Sequence, residues 1–182
     1  PLRRQRQMCI RDSSWMSDYR DSPNSSGNYD HSYGVFSRRF DSDGTPASQA
    51  ELTGTAANED IFLADGQLGL NVDLGAGIDT LTFGDARDTL TVTNVETVDL
   101  GGGNDFVQVS GDTGVYVDGG AGNDILTGGL GTDILKGGAD DDVYYISDLS
   151  DTVIAYNAEG SDAIYSTLET TTLSANVETL HM

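Results

Sequence analysis

Asp124, Asp133 and Asp142 stand nine residues apart, each closing a glycine-bearing turn and each followed two residues later by Leu126, Leu135 or Tyr144. They belong to three nine-residue units laid end to end from Gly119 to Tyr145: GGAGNDILT, GGLGTDILK and GGADDDVYY. Adjacent glycines tolerate positive φ and leave no Cβ in the way, so the backbone can turn tightly and aim several carbonyls at one place. An Asp at the end of such a turn adds a carboxylate to those carbonyls. The product is an all-oxygen environment suited to a hard cation such as calcium.

The elements that must position these groups are short strands. The last three residues of each unit alternate, with position eight facing inward. One nonapeptide is therefore half a coil of a solenoid, and every second Asp stacks on the same edge. Asp88, Asp105, Asp124 and Asp142, spaced 17, 19 and 18 apart, form one ladder. The opposite edge runs through Asp60 and Asp79, degenerate turns near Glu96 and Asp112, then Asp133 and Asp151.

Imperfect copies support this reading. TAANEDIFL (Thr55–Leu63) lacks the glycines and is phased with Asp60 at position six and Phe62 at position eight. LGAGIDTLT, FGDARDTLT and LGGGNDFVQ restore the turn from Leu74 onward. After Tyr145, ISDLSDTVI keeps Asp151 and Val153 in phase without glycine, and NAEGSDAIY brings back Gly160, Asp162 and Ile164 after a two-residue slip. These last copies are expected to cap the solenoid.

Charge points the same way. The chain of 182 residues carries a net charge of −21, yet seven of its nine basic residues fall in the first forty positions. From Asp41 onward, 26 acidic residues face only Arg87 and Lys136, and such a segment resists compaction unless counterions neutralise it. Acids set at repeat phase beside glycine favour cation binding over simple solvation. The sign of the charge disfavours nucleic acid and anionic membrane as partners, and neither is expected. No apolar run approaches the ~18 residues of a membrane span.

Four segments are expected. Residues 1–13, PLRRQRQMCIRDS, differ in charge, hold the sole Cys9, and read as a non-native, adapter-like segment; the competing reading is a basic arm for an acidic partner. Residues 14–50 form a flexible polar linker. Residues 51–166 carry the repeats. Residues 167–182 contain NVETL, which repeats the NVETV that precedes LGGGND, and read as the start of a further, truncated block.

GGAGNDILT, GGLGTDILK and, less fully, LGAGIDTLT and LGGGNDFVQ resemble the RTX (repeats-in-toxin) haemolysin-type calcium-binding nonapeptide GGxGxDxUx. The resemblance covers about residues 55–165. It implies an all-β fold, a right-handed parallel β-roll following a disordered N-terminal segment, with several Ca2+ ions held between successive turns. It also implies type I secretion of a bacterial protein to the cell surface or the extracellular space. Carried over, the motif makes Asp79, Asp88, Asp105, Asp124, Asp133 and Asp142 the carboxylate ligands, with carbonyls around Gly101, Gly103, Gly120, Gly122, Gly129 and Gly131 completing each shell. Asp140, standing where the third perfect copy should have its second-turn glycine, joins the candidates. The rival reading of these residues is purely structural: glycines that turn the chain and Asp side chains that accept backbone N–H groups.

Two apolar side chains per coil do not offset the entropy of ordering its backbone. Metal binding then supplies folding free energy, and the calcium-free chain is expected to be largely disordered. No catalytic constellation accompanies the repeats: His31 and His181 are isolated, no HExxH occurs, and pairs such as Asp141 and Asp142 are better explained as cation ligands. The expected function is non-catalytic calcium binding, as a calcium-triggered folding module or spacer of a larger adhesin- or toxin-like protein whose macromolecular target the sequence does not name. Two alternatives stand beside it. One is the C-terminal RTX portion of a secreted, metalloprotease-like hydrolase with its catalytic domain elsewhere; the other is an acidic linker without specific ions.

Overall fold

The computed structural model describes residues 50–63, 66–155, 160–168 and 175–182. The expectations for residues 1–13 and for the linker before Ala50 lie outside the described residues. So does the beginning of the NAEGSDAIY copy.

Strands recur at every half-coil because each nonapeptide ends in an alternating triplet. In chain order they are β1 (Ala50–Thr55), β2 (Asp60–Phe62), β3 (Leu68–Gly75), β4 (Thr80–Thr82), β5 (Thr89–Thr93), β6 (Thr97–Asp99) and β7 (Phe106–Val109). They continue as β8 (Tyr116–Ala121), β9 (Ile125–Thr127), β10 (Ile134–Ala139), β11 (Val143–Ile146), β12 (Thr152–Ile154), β13 (Ala163–Ser166) and β14 (Thr179–His181). Two parallel sheets result. One is ordered β1-β3-β5-β7-β9-β11-β13-β14 and the other β12-β10-β8-β6-β4-β2, together a parallel β-solenoid of about six turns. Among the described residues there is no helix, hence none long and apolar enough to cross a membrane.

The register stacks equivalent positions. Leu90, Val107, Leu126, Tyr144 and Ile164 pair in succession on the inner face of the larger sheet. Ile61, Leu81, Val98, Val117, Leu135 and Val153 do so on the smaller one. All are buried, and the two columns meet in a core one side chain thick per sheet. Position eight therefore faces inward as the spacing predicts, and β14 prolongs the larger sheet beyond β13 through Ile164 and Leu180.

The first copy needs a correction. Phe62 is 71% exposed while Ile61 is buried and pairs with Leu81, so the phase lies one residue earlier than the sequence suggests. Gly54 then occupies position one, Glu59 position six and Ile61 position eight; Asp60 points to solvent. The physical reason is that Ile61 and Phe62 compete for one inward slot. The β-branched side chain fits the narrow core, as the Leu and Val beside it do.

Candidate metal centre

Positive φ builds the turns. Gly101, Gly120 and Gly138, at the second position of successive turns on one edge, adopt φ of 78°, 97° and 113°. A Cβ at Gly120 would collide with Gly101 O, and one at Gly138 with Gly120 O, so only glycine lets these turns nest. Asp140 takes up the left-handed conformation at φ 77° where the other copies have glycine.

On these turns the position-six carboxylates form a ladder. The N–H of Asp88 donates to Asp105 Oδ1 at 2.7 Å, that of Asp105 to Asp124 Oδ1 at 2.8 Å, and that of Asp124 to Asp142 Oδ1 at 2.9 Å. The series extends at both ends, since Gln67 N–H donates to Asp88 Oδ1, Asp142 N–H to Asp162 Oδ1 at 3.0 Å, and Asp162 N–H to Glu178 Oε2 at 2.7 Å. On the second edge, Glu59 N–H donates to Asp79 Oδ1 at 2.7 Å and Asp79 N–H to Glu96 Oε2 at 2.6 Å. Further along, Val115 N–H donates to Asp133 Oδ1 and Asp133 N–H to Asp151 Oδ1.

One oxygen of each rung thus caps the preceding coil. The other is left over: Oδ2 of Asp79, Asp105, Asp124, Asp142 and Asp151 is buried and has no hydrogen-bond partner. A carboxylate in that position is costly to keep charged. Burial pushes the Asp124 carboxyl up to about 7, opposed by the Asp105 N–H and reinforced by the charges of Asp105, Asp118 and Asp140. Burial likewise raises Asp142 to about 7, and Asp105 and Asp151 to about 6. Asp79 and Asp133 are raised for the same first reason.

The orphaned oxygens converge with carbonyls. A Cβ at Gly119 would meet Asp124 Oδ2 and, at 2.5 Å, Gly137 O; one at Gly128 would lie 3.0 Å from Asp151 Oδ2 and 3.1 Å from Asp133 Oδ2. The nearest polar atoms at both positions are oxygens, the donor type of a hard divalent cation. Among the described residues no three acidic, His or Cys side chains cluster for a metal, so backbone carbonyls must supply the remaining donors. The residues present fit calcium on both counts.

The sequence-derived candidates divide. Asp88, Asp105, Asp124 and Asp142 fall on one edge with Gly101, Gly103, Gly120 and Gly122, as the spacing predicts, while Asp79 and Asp133 fall on the other. Asp140 is exposed at its turn. The carbonyls of Gly129 and Gly131 accept the hydroxyls of Ser147 at 3.3 Å and Ser150 at 2.8 Å. Asp133 Oδ2 accepts Gly129 N–H at 2.8 Å, so the structural reading of an Asp closing its own turn applies there. It applies also to Asp148, whose Oδ1 accepts the Ser150 N–H and hydroxyl, holding its carboxyl below the usual range.

Spacing missed Glu59 and Glu178 as ladder members and marked Glu96 only as a degenerate turn. The signal for Glu96 and Glu178 was the repeated NVET. Asn94 and Asn176 both adopt positive φ, at 52° and 65°, Val95 and Val177 are both buried, and each following Glu accepts the N–H of the preceding rung. NVET is a glycine-free corner that delivers a longer acid to the same place.

Residues 116–153 match the family model of the RTX calcium-binding nonapeptide repeat in four copies. No curated protein and no solved structure matches the chain. Those four copies are similar to the RTX calcium-binding nonapeptide repeat, and coils of the same geometry continue them on either side in one parallel β-solenoid, an arrangement that fits an RTX repeat protein.

Proposed function

We propose that the chain is a calcium-triggered folding module and spacer of a larger secreted or cell-surface protein, with residues 51–166 as the module. Several ions sit between successive turns. Asp79, Asp88, Asp105, Asp124 and Asp142 supply carboxylates, Gly101, Gly103, Gly120 and Gly122 supply carbonyls, and Asp140 adds charge nearby; Asp133, both of whose oxygens accept backbone N–H groups, closes its own turn instead. One observation supports this above the rest: the row of buried, partnerless Oδ2 atoms at Asp105, Asp124 and Asp142. Stacked carboxylates repel, and a cation between them removes both the repulsion and the desolvation penalty. A purely structural role for the Asp residues explains Oδ1 and leaves Oδ2 without a purpose.

Coupling of binding to folding suits export. At the ~10⁻⁴–10⁻³ M affinities of extracellular calcium modules, the chain stays unfolded in a calcium-poor cytosol and folds outside. A non-catalytic role agrees with His181, the sole histidine among the described residues, whose ring stacks on Tyr165 at 4.4 Å.

The test is circular dichroism of the full chain with calcium added and then chelated. A cooperative, reversible gain of β signal near millimolar calcium, absent with magnesium, is the expected result. A β spectrum indifferent to calcium would overturn the reading.

A further inference from the structure

We propose that the first two turns of the second edge, residues 54–59 and 74–79, form a divalent-cation site with Glu59 and Asp79 as its carboxylates. The site lies outside the matched residues 116–153 and breaks the nonapeptide pattern at position six. It rests on the calcium-binding reading above.

Geometric equivalence with a matched turn carries the assignment. At Gly119, a Cβ would meet Asp124 Oδ2 and the carbonyl of Gly137, position one of the next coil. At Gly54, a Cβ would meet Glu59 Oε2 at 2.8 Å and the carbonyl of Leu74, again position one of the next coil. Gly75 and Gly77 nest on Thr55 O and Ala57 O in the way that Gly120 and Gly122 nest on Gly101 O and Gly103 O. Glu59 and Asp79 are 2% and 0% exposed, and Glu59 Oε2 and Asp79 Oδ2 have no partner. Two partnerless buried oxygens on successive nested turns, with the Glu59 charge acting on Asp79, point to a ligand between them.

Glu59 differs from the Asp rungs in how its other oxygen is held. Asp124 Oδ1 caps the N–H of the preceding rung, whereas Glu59 Oε1 accepts the hydroxyl of Thr55 in its own turn, and Thr55 Oγ1 also accepts Ala57 N–H at 3.1 Å. Thr55 does for Glu59 what the preceding coil does elsewhere. The extra methylene of Glu lets the side chain take that local bond and still present Oε2 to the turn.

The test counts calcium bound per full-length chain at saturation by flow dialysis. Glu59→Gln keeps an acceptor for Thr55 and removes the charge; it should lose one equivalent. Glu59→Asp should retain it, and Thr55→Val, which removes the hydroxyl's bonds to Glu59 and Ala57 without touching the carboxylate, should retain it too. An unchanged count in E59Q would overturn the proposal, as would loss of an equivalent in T55V, because that would make the pair a structural cap. With E59Q unchanged, loss of an equivalent in Asp124→Asn would leave the calcium-binding reading standing and remove only this site. No calcium bound by the unmodified chain would remove both.

Discussion

The two edges of the solenoid use the same main-chain scheme to different ends. Along Asp88, Asp105, Asp124, Asp142 and Asp162 every rung is a carboxylate that takes the N–H of its predecessor. Along the other edge the rungs are Glu59, Asp79, Glu96, Val115, Asp133 and Asp151. Val115 gives its N–H to Asp133 without a carboxylate of its own, and Ser147 and Ser150 occupy the carbonyls of Gly129 and Gly131. The rung-to-rung bond is therefore a device for stacking coils, common to both edges. What marks a cation edge is the second carboxylate oxygen, left buried, together with carbonyls that no hydroxyl reaches. On that criterion Asp105, Asp124 and Asp142 are the main ladder of the proposed calcium sites, and the upper part of the second edge is closed by serine.

The largest effect expected from this contrast is on the calcium requirement. Asp124→Ala with Asp142→Ala removes two adjacent carboxylates from the continuous edge and should raise the calcium midpoint of folding about tenfold or more, since ligand charge sets affinity in such sites. Asp133→Ala, on the interrupted edge, should raise it much less. The midpoint is read from circular dichroism titrations. Equal shifts for the two variants would erase the distinction between edges.

Acidity offers the next test, with a definite sign. The raised carboxyls bind protons more tightly folded than unfolded, so they favour the calcium-free fold at low pH. That contribution is fully present below the unfolded value near 3.8 and is lost as the pH rises through about 6 for Asp105 and Asp151 and about 7 for Asp124 and Asp142. Without calcium, β structure should be favoured near pH 4 and disfavoured above pH 7, as proton and cation compete for the same oxygens. Where the chain is already folded without calcium, calcium uptake should release protons near pH 6 and almost none at pH 8, measurable in a pH-stat. Replacing Asp124 and Asp142 by Asn should flatten the profile near 7 and leave the Asp151 component near 6.

Much of this was legible in the sequence, for a physical reason. The nested turns, with positive φ and no room for a Cβ, call for glycine, so glycine pairs fix the phase, and with it Asp124, Asp133 and Asp142 and the inward Leu126, Leu135 and Tyr144. Where glycines thin out, the phase loosens. At the first turn Gly54 stands alone and Glu59 is followed at once by Asp60, so charge cannot decide which acid is the rung. Packing decides it, through Ile61 against Leu81. Glu178 escaped, and Glu96 was legible only as a degenerate turn, because NVET reaches the same corner with a left-handed Asn and a longer acid, at separations of 16 and 17 residues from the rungs they cap. The serine closure of Gly129 and Gly131 has no sequence signature beyond the missing glycines of ISDLSD. It depends on how the next coil lies over them.

A smaller effect should follow from that closure. Ser150→Ala removes a hydroxyl bonded to Gly131 O and Asp148 Oδ1, and should cost about 1 kcal/mol of stability. The loss should be the same at low and saturating calcium, read from thermal melts. A loss that vanished at saturating calcium would mean that a cation replaces the hydroxyl, and that the second edge is a cation edge there after all.

The smallest effect is expected at Asp140, the one acid that sits at a glycine position in a perfect copy. It is exposed, and its charge helps to raise both Asp124 and Asp142. Acting through space from the surface, it should be screened over the ~10 Å Debye length of 0.1 M salt. Asp140→Asn keeps the left-handed conformation, which Asn tolerates, and removes only the charge. The calcium midpoint should rise less than threefold at low salt and return to that of the unmodified chain in about 0.5 M salt, where the Debye length has shortened further. A larger shift that survives salt would place Asp140 in direct contact with the ion. The left-handed turn would then be a fourth way, beside Asp, Glu and carbonyl rungs, for this solenoid to bring oxygen to its edge.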